Sequence, residues 1–525
     1  MKHFFPLFIV PTLVIPALLC VSCAKSQVAV PASPSSPAAL IVSSPGQPAT
    51  PQFALAAPVA DTGPYKKPTV PGAIHLEAED GVLTGNTVLT TRPGFSGTGY
   101  VSQFEKDGAK VAWTIPNVKP GIYRALLRYS APFGAKSSDL AVNGKVISVA
   151  LPGTGDKFAD LPAGKVELTA GTNTIEIRRG WGYYDVDALD FVPAPAGVPP
   201  AKVSAALSDP QATPEARALM RLLAQTYGAK TLSGQVNADD TEYIRSVTGK
   251  TPAIMAGDFM DYSPSRLAYG ADPKGETERV IQAAQAGQVV SMLWHWNAPT
   301  GLLNKMGIDA QGKPNNLMWY KGFYTDATTF DVQKALADPH SADYALLLRD
   351  MDAIAAQLQK FSDAKVPVLW RPLHEGEGGW FWWGAKGPDA YKKLWRLMHD
   401  RFTNVHHLHN LIWVYSSGVK PEWYPGDDVV DIVGIDEYPS DVSDPLSTVW
   451  DTLQSQYAGR KMLALTEFGG VPDIAKMQRY GVYWAYFASW GGDLGPRKVS
   501  PAELTRLYHE PVVVNESELK KEAGR

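Results

Sequence analysis

Eight short apolar runs recur at residues 231–235, 252–259, 289–296, 366–374, 411–416, 432–438, 462–468 and 484–490, and amphipathic helical patterns separate them. Leu347, Met351, Ile354 and Leu358 fall at helical spacing, as do Tyr391, Leu394, Trp395, Met398 and Phe402, and each series leads into a strand-like run. Eight strands alternating with helices in about 300 residues predict a closed (β/α)8 TIM barrel of α/β class. The alternative is a doubly wound parallel sheet. No glycine-rich phosphate turn follows the first run, so a nucleotide site has no support.

The chain of 525 residues is too long for that barrel alone. Residues 71–195 carry short β-prone runs of alternating polarity, with Asn143-Gly144 as a hairpin turn, and predict an antiparallel β-sandwich domain. Pro/Ala-rich residues 196–212 form a linker to a barrel domain at 213–510. At the other end, residues 1–23 join an apolar, proline-broken stretch to Cys20 and Cys23, which reads as a signal peptide of ordinary or lipoprotein type. The expected protein is therefore exported: secreted, periplasmic or lipid-anchored at a bacterial cell surface. Residues 24–70, rich in Pro, Ala and Ser, read as a tether. No later stretch offers the roughly 20 apolar residues of a membrane span. Both cysteines lie at the end of the leader, so core packing rather than disulfides must stabilise the folded part.

Net charge is −4 and no basic block recurs, which excludes the electrostatic footprint of a nucleic-acid binder. The 15 Trp and 22 Tyr suit the faces of sugar rings instead. In a barrel the reactive groups gather at the C-terminal strand ends. The fourth run closes Trp370-Arg371-Pro372-Leu373-His374-Glu375 and the seventh Thr466-Glu467-Phe468-Gly469. Two carboxylates facing one cleft are what a retaining glycosidase needs. His406, His407 and His409 invite a metal reading, but they precede the fifth run and so belong to the opposite end of a barrel, where a solvated loop is the simpler assignment.

The segment Arg-Pro-Leu-His-Glu-Gly-Glu-Gly-Gly-Trp-Phe-Trp-Trp-Gly at 371–384 resembles the acid/base signature of glycoside hydrolase family 26. Further segments resemble that family in order, among them Gly257-Asp258-Phe259, Trp294-His295-Trp296-Asn297, Gly434-Ile435-Asp436-Glu437-Tyr438 and Thr466-Glu467-Phe468-Gly469. The resemblance implies a retaining endo-β-1,4-mannanase acting on β-mannan, galactomannan or glucomannan, with Glu375 as acid/base and Glu467 as nucleophile and no cofactor for catalysis. It also implies that His295 holds a sugar hydroxyl, that His374 hydrogen-bonds on the nucleophile side or is a core histidine, and that Tyr438 donates to Glu467. Arg371 then orients carboxylates, while Trp380 and Trp490 offer faces to pyranose rings. Glu377 departs from the family pattern of Asn, Asp or a small polar residue, and is expected to face solvent rather than to perturb Glu375. The competing readings are the same machinery on β-1,3-xylan or mixed-linkage β-glucan, and a noncatalytic polysaccharide-binding protein.

Glu77-Ala78-Glu79, Phe95-Ser96-Gly97-Thr98-Gly99 and Gly180-Trp181-Gly182-Tyr183-Tyr184-Asp185 make the sandwich similar to carbohydrate-binding module family 35. That resemblance implies a structural calcium held by Glu77, Glu79 and Asp190, and a sugar site built from Trp181, Tyr183, Tyr184, Asp185 and Asn143. The expected state is a monomer.

Overall fold

The computed structural model describes residues 63–195, 197–308 and 314–523. The leader and most of the tether lie outside the described residues. No helix among the described residues is long and apolar enough to cross a membrane.

Eight parallel strands close into a barrel: β1 Gly234–Val236, β2 Ile254–Asp258, β3 Val289–Leu293, β4 Val368–Arg371, β5 Leu411–Tyr415, β6 Ile432–Glu437, β7 Met462–Phe468 and β8 Phe487–Ser489. Strand alternation divides their side chains into two cores. Ile254, Leu369, Ile412, Val414, Ile432, Met462 and Ala464 fill the barrel interior. Their neighbours Met255, Val290, Met292, Val368, Trp370, Trp413, Val433, Leu463 and Leu465 pack outward beneath the helices. The predicted helical stripes are buried in Ala342–Asp363 and Pro388–Asp400, the first begun by Ser341, whose side chain caps Tyr344 N–H. The first expected strand is split. Thr231–Leu232 pairs with Val513–Val514 below the barrel, and only Gly234–Val236 joins β2. Between β5 and β6 there is no α-helix, only the 3₁₀ turn Pro421–Trp423.

The N-terminal domain is two packed antiparallel sheets. One is ordered Thr87–Leu89, Tyr100–Ser102, Asp185–Pro193, Gly121–Ser130, Ala159–Leu168, and Ile74–Glu77 also pairs with Asp185–Pro193. The other is ordered Val82–Thr84, Lys110–Val118, Gly171–Trp181, Lys136–Val142, Lys145–Leu151. Asn143 and Gly144 both have positive φ, 50° and 83°, the conformation a two-residue I′ hairpin requires. The sandwich meets the barrel through buried Lys165, whose Nζ donates to Asp451 Oδ1 (2.9 Å) and to the Tyr480 carbonyl (3.1 Å).

Candidate active site

Inward alternation continues past the apolar interior layer and sets the floor of the cleft. Leu369 faces the interior, so Arg371 does too, and the same parity carries Ile432 and Gly434 on to Asp436. Arg371 Nη1 donates to Asp436 Oδ2 (2.8 Å) and to Ser416 Oγ (2.9 Å), and its Nη2 to Glu467 Oε1. Thr466 Oγ1 donates to the other oxygen of Asp436 at 2.6 Å. Arg371 is 1% exposed, so deleting it would strand two buried carboxylates, a change that typically costs about 3–5 kcal/mol.

Glu467 should point outward by parity, since Met462 and Ala464 point inward. A register shift resolves this: Ile435 pairs with Leu465, but Asp436 pairs with Glu467. The extra residue is a bulge that turns both Thr466 and Glu467 toward the cleft. There Tyr438 OH donates to Glu467 Oε2 at 2.5 Å. Glu375 arrives differently, from the turn after β4, in a left-handed conformation with φ 54°. Trp380 Nε1–H donates to Glu375 Oε2 at 2.8 Å. Carboxylate oxygens of Glu375, Asp436 and Glu467 lie within 4.8 Å of one another. Burial, then the negative charges of Glu467 and Asp436, push Glu375 well above the usual carboxylate range. Burial also raises Asp436, to about 7, against the opposing pull of Arg371.

The histidines form a second layer along one wall. His295 Nδ1 lies 2.7 Å from Asp258 Oδ2, and its Nε2 lies 3.2 Å from His374 Nε2. With Nδ1–H directed at the carboxylate, His295 Nε2 can accept Nε2–H from His374, an arrangement that leaves His374 Nδ1 bare. His374 is thus bonded to His295 and not to the nucleophile side, and its buried Nδ1 has no hydrogen-bond partner. Burial, Arg371 and His295 lower its pKa well below the ordinary histidine value. Trp490 borders both sides of the cleft, its ring centroid 6.2 Å from His295 and 6.5 Å from Tyr438. Trp382 and Trp383 are core, with indole N–H groups donated to the Trp296 and His374 carbonyls.

Glu377 does not face solvent as its sequence context suggested. Its side chain is 2% exposed, accepts from Lys420 N–H at 2.8 Å and lies 3.2 Å from Lys420 Nζ. Asp436, Ser416 and Asp258 were not singled out from sequence. Their inward parity was legible, but which strands would face them was not. At the far end of the barrel His406 lies 2.6 Å from Asp352 and His409 2.8 Å from Asp209, so both are held by single carboxylates.

In the sandwich the predicted sets divide. Trp181 is 68% exposed and lies under Lys136 Nζ, and Tyr183 packs against Phe133, itself 74% exposed and unmarked by any motif. Tyr184 is instead core, stacked on Phe104 with its OH on Ser138 Oγ (3.0 Å), and Asp185 is fully buried beside Arg92. Asn143 is at the wrong end: Ser137 pairs with Trp181, but Val142 with Ile175. The seven-residue strand between them spans about 20 Å. Asn143 serves its turn, accepting from Thr174 N–H and donating to Asn173 Oδ1.

Asp190 does not join Glu79. The register pairs it with His75, whose two ring nitrogens lie 2.7 Å from Asp190 and 2.8 Å from Glu77. A register shift at Val186/Ala188 frees Asp187, whose carboxylate takes Ser96 N–H at 3.0 Å. Ser96 OH also donates to Glu77 (2.8 Å), and Glu79 Oε1 takes Thr98 N–H (2.6 Å), while Glu79 Oε2 is buried without a hydrogen-bond partner. The carboxylates gathered around the 96–99 loop are therefore Glu77, Glu79 and Asp187, the last also ion-paired with Arg128 Nε at 3.1 Å.

The model of glycosyl hydrolase family 26 matches residues 208–518. The chain belongs to glycosyl hydrolase family 26. Carbohydrate binding module family 35 matches residues 74–194. A mannan endo-1,4-beta-mannosidase of Thermothelomyces thermophilus is 44% identical over 452 residues, covering 85% of this chain and 91% of its own. The family 26 fold is shared with a Podospora anserina GH26-CBM35 beta-(1,4)-mannanase, at TM-score 0.62 and 42% identity over 86% of this chain and 99% of that one. It is shared too with a ruminal GH26 endo-beta-1,4-mannanase, at TM-score 0.64 and 26% identity over the same shares.

Proposed function

We propose that the protein is a retaining endo-β-1,4-mannanase. The observation that carries the mechanism is the closeness of Glu375 and Glu467, with carboxylate oxygens within 4.8 Å. Retaining glycosidases hold their carboxyls about 5–5.5 Å apart, whereas inverting ones leave about 6.5–9.5 Å for a water. Glu467, oriented by Arg371 and Tyr438, attacks the anomeric carbon as Glu375, kept protonated by its surroundings, delivers its proton to the departing oxygen. The same Glu375, now a carboxylate, takes a proton from water, and that water releases the sugar from Glu467. Two carboxyls supply acid, base and nucleophile, so the chemistry needs no cofactor. The β-1,4-mannan substrate rests on the names of relatives that match along most of this chain.

The sandwich, on this reading, binds polysaccharide through Phe133, Trp181 and Tyr183. A calcium there would be held by Glu77, Glu79 and Asp187 and would supply structural rigidity. The leader-like residues 1–23 support export.

Product analysis tests the assignment. The protein without its leader is expected to release manno-oligosaccharides from linear mannan, galactomannan and glucomannan, with the β-anomer appearing first by NMR. Oligosaccharides only from β-1,3-xylan or mixed-linkage glucan would overturn the substrate, and α-anomer first would overturn retention. Tyr438→Phe removes one donor from Glu467. Hydrogen bonds to charged groups are worth about 1.5–3 kcal/mol, so kcat/KM is expected to fall about ten- to a hundredfold with the melting temperature nearly unchanged.

A further inference from the structure

The turn that carries Glu375 is clasped to the exit of β5 from both sides. Glu375 N–H donates to the Ser416 carbonyl (2.9 Å), and Glu377 N–H donates to the Ser417 carbonyl (3.2 Å) and Oγ (3.0 Å). In return the Glu377 carboxylate takes Lys420 N–H and faces Lys420 Nζ. This carboxylate is built in. Gly418 passes beside it with φ 154°, so close that a Cβ there would lie 2.1 Å from Glu377 Oε2.

The clasped segment is conformationally unusual. Leu373 and Glu375 have φ of 51° and 54°, and Gly379 closes the turn at 70°. Residues other than glycine seldom adopt this region, and they keep it where surrounding bonds over-determine the backbone. Gly378 N–H returns to the Glu375 carbonyl at 3.0 Å, so Glu377 lies inside the turn that Glu375 begins. Burial raises the Glu377 carboxyl, and Lys420 opposes that shift through its N–H and its charge.

We propose that Glu377 is a positioning residue for Glu375: anchored on Lys420, it holds the left-handed turn that aims the acid/base at the glycosidic oxygen. This rests on the reading of Glu375 as acid/base. The β5 exit, where no helix intervenes before β6, thereby becomes part of the acid/base support.

The discriminating experiment compares two substrates in the full-length enzyme. Mannohexaose needs a proton on its leaving group, whereas 2,4-dinitrophenyl β-mannobioside does not, and its kcat/KM reports glycosylation alone. E377Q keeps one acceptor for Lys420 N–H but loses the ion pair. It is expected to lose about threefold or more in kcat/KM on mannohexaose, with the activated substrate within about twofold of wild type. E377A extends the selective loss to about tenfold or more, and its melting temperature reports whether it folds. Wild-type values for E377Q on both substrates, or parallel losses on both, overturn the proposal. E375A, run alongside, separates the two ideas: selective loss there with none in E377Q rejects the role of Glu377, while no selectivity in E375A rejects the acid/base reading itself.

Discussion

Glu467→Ala is expected to abolish turnover, with kcat/KM on mannan falling about 10⁴-fold or more while polysaccharide binding persists. The deleted carboxylate is the atom group that bonds to the anomeric carbon, and Asp436, the third carboxylate of the cluster, is held by Arg371 and Thr466 rather than free to replace it. Folding should survive. Arg371 keeps Asp436 and Ser416 as partners, so the buried guanidinium is not left unpaired. Activity assays and affinity gels on the same preparation check this. Residual turnover near wild type would dismiss Glu467 as the nucleophile, and wild-type protein without turnover on any polymer would favour the noncatalytic reading.

The second large effect is expected from Glu375→Ala. Hydrolysis of mannohexaose should fall about 10²- to 10⁴-fold, the usual contribution of a placed acid/base. In the wild type, Glu375 keeps its proton to a pH well above the ordinary carboxylate range because burial and the charges of Glu467 and Asp436 disfavour its anion. Activity requires that proton, so kcat/KM on mannohexaose is lost as pH rises through the elevated value. The variant has no such proton to lose. On 2,4-dinitrophenyl β-mannobioside its kcat/KM should show no alkaline limb, while kcat falls because the covalent intermediate lacks its base. Azide needs no base and should restore kcat, giving a β-glycosyl azide identifiable by NMR. An unchanged alkaline limb in Glu375→Ala would assign that limb to another group.

The protein is thus a frame of ordinary barrel strands carrying a few departures from regular geometry, and chemistry concentrates at the departures. The bulge between β6 and β7 turns Glu467 into the cleft. Left-handed turns at Leu373 and Glu375 bring the second carboxylate to meet it. A register shift in the sandwich frees Asp187 for the 96–99 loop. Strain of this kind persists only where packing and hydrogen bonds over-determine it, which is why each departure is ringed by named donors.

The sequence by itself determined what is periodic or chemically typed. Alternation of apolar runs and helical stripes specified the eight barrel strands and the helices between most of them, because strand and helix geometry impose periods of two and 3.6 on whatever is buried. Strand-end positions marked Arg371, Glu375, Tyr438 and Glu467, and the asparagine and glycine of the 143–144 turn announced a hairpin through their tolerance of positive φ. Tertiary structure decided what depends on register and on partners distant in sequence. Asn143 and Trp181 belong to one sheet yet lie at opposite ends of it, Asp190 is taken by His75, and His374 turns to His295. Glu377 reads as a surface charge until the loop after β5 supplies Lys420. Such outcomes have no local signature, because a one-residue shift in pairing exchanges the two faces of a strand without changing its composition.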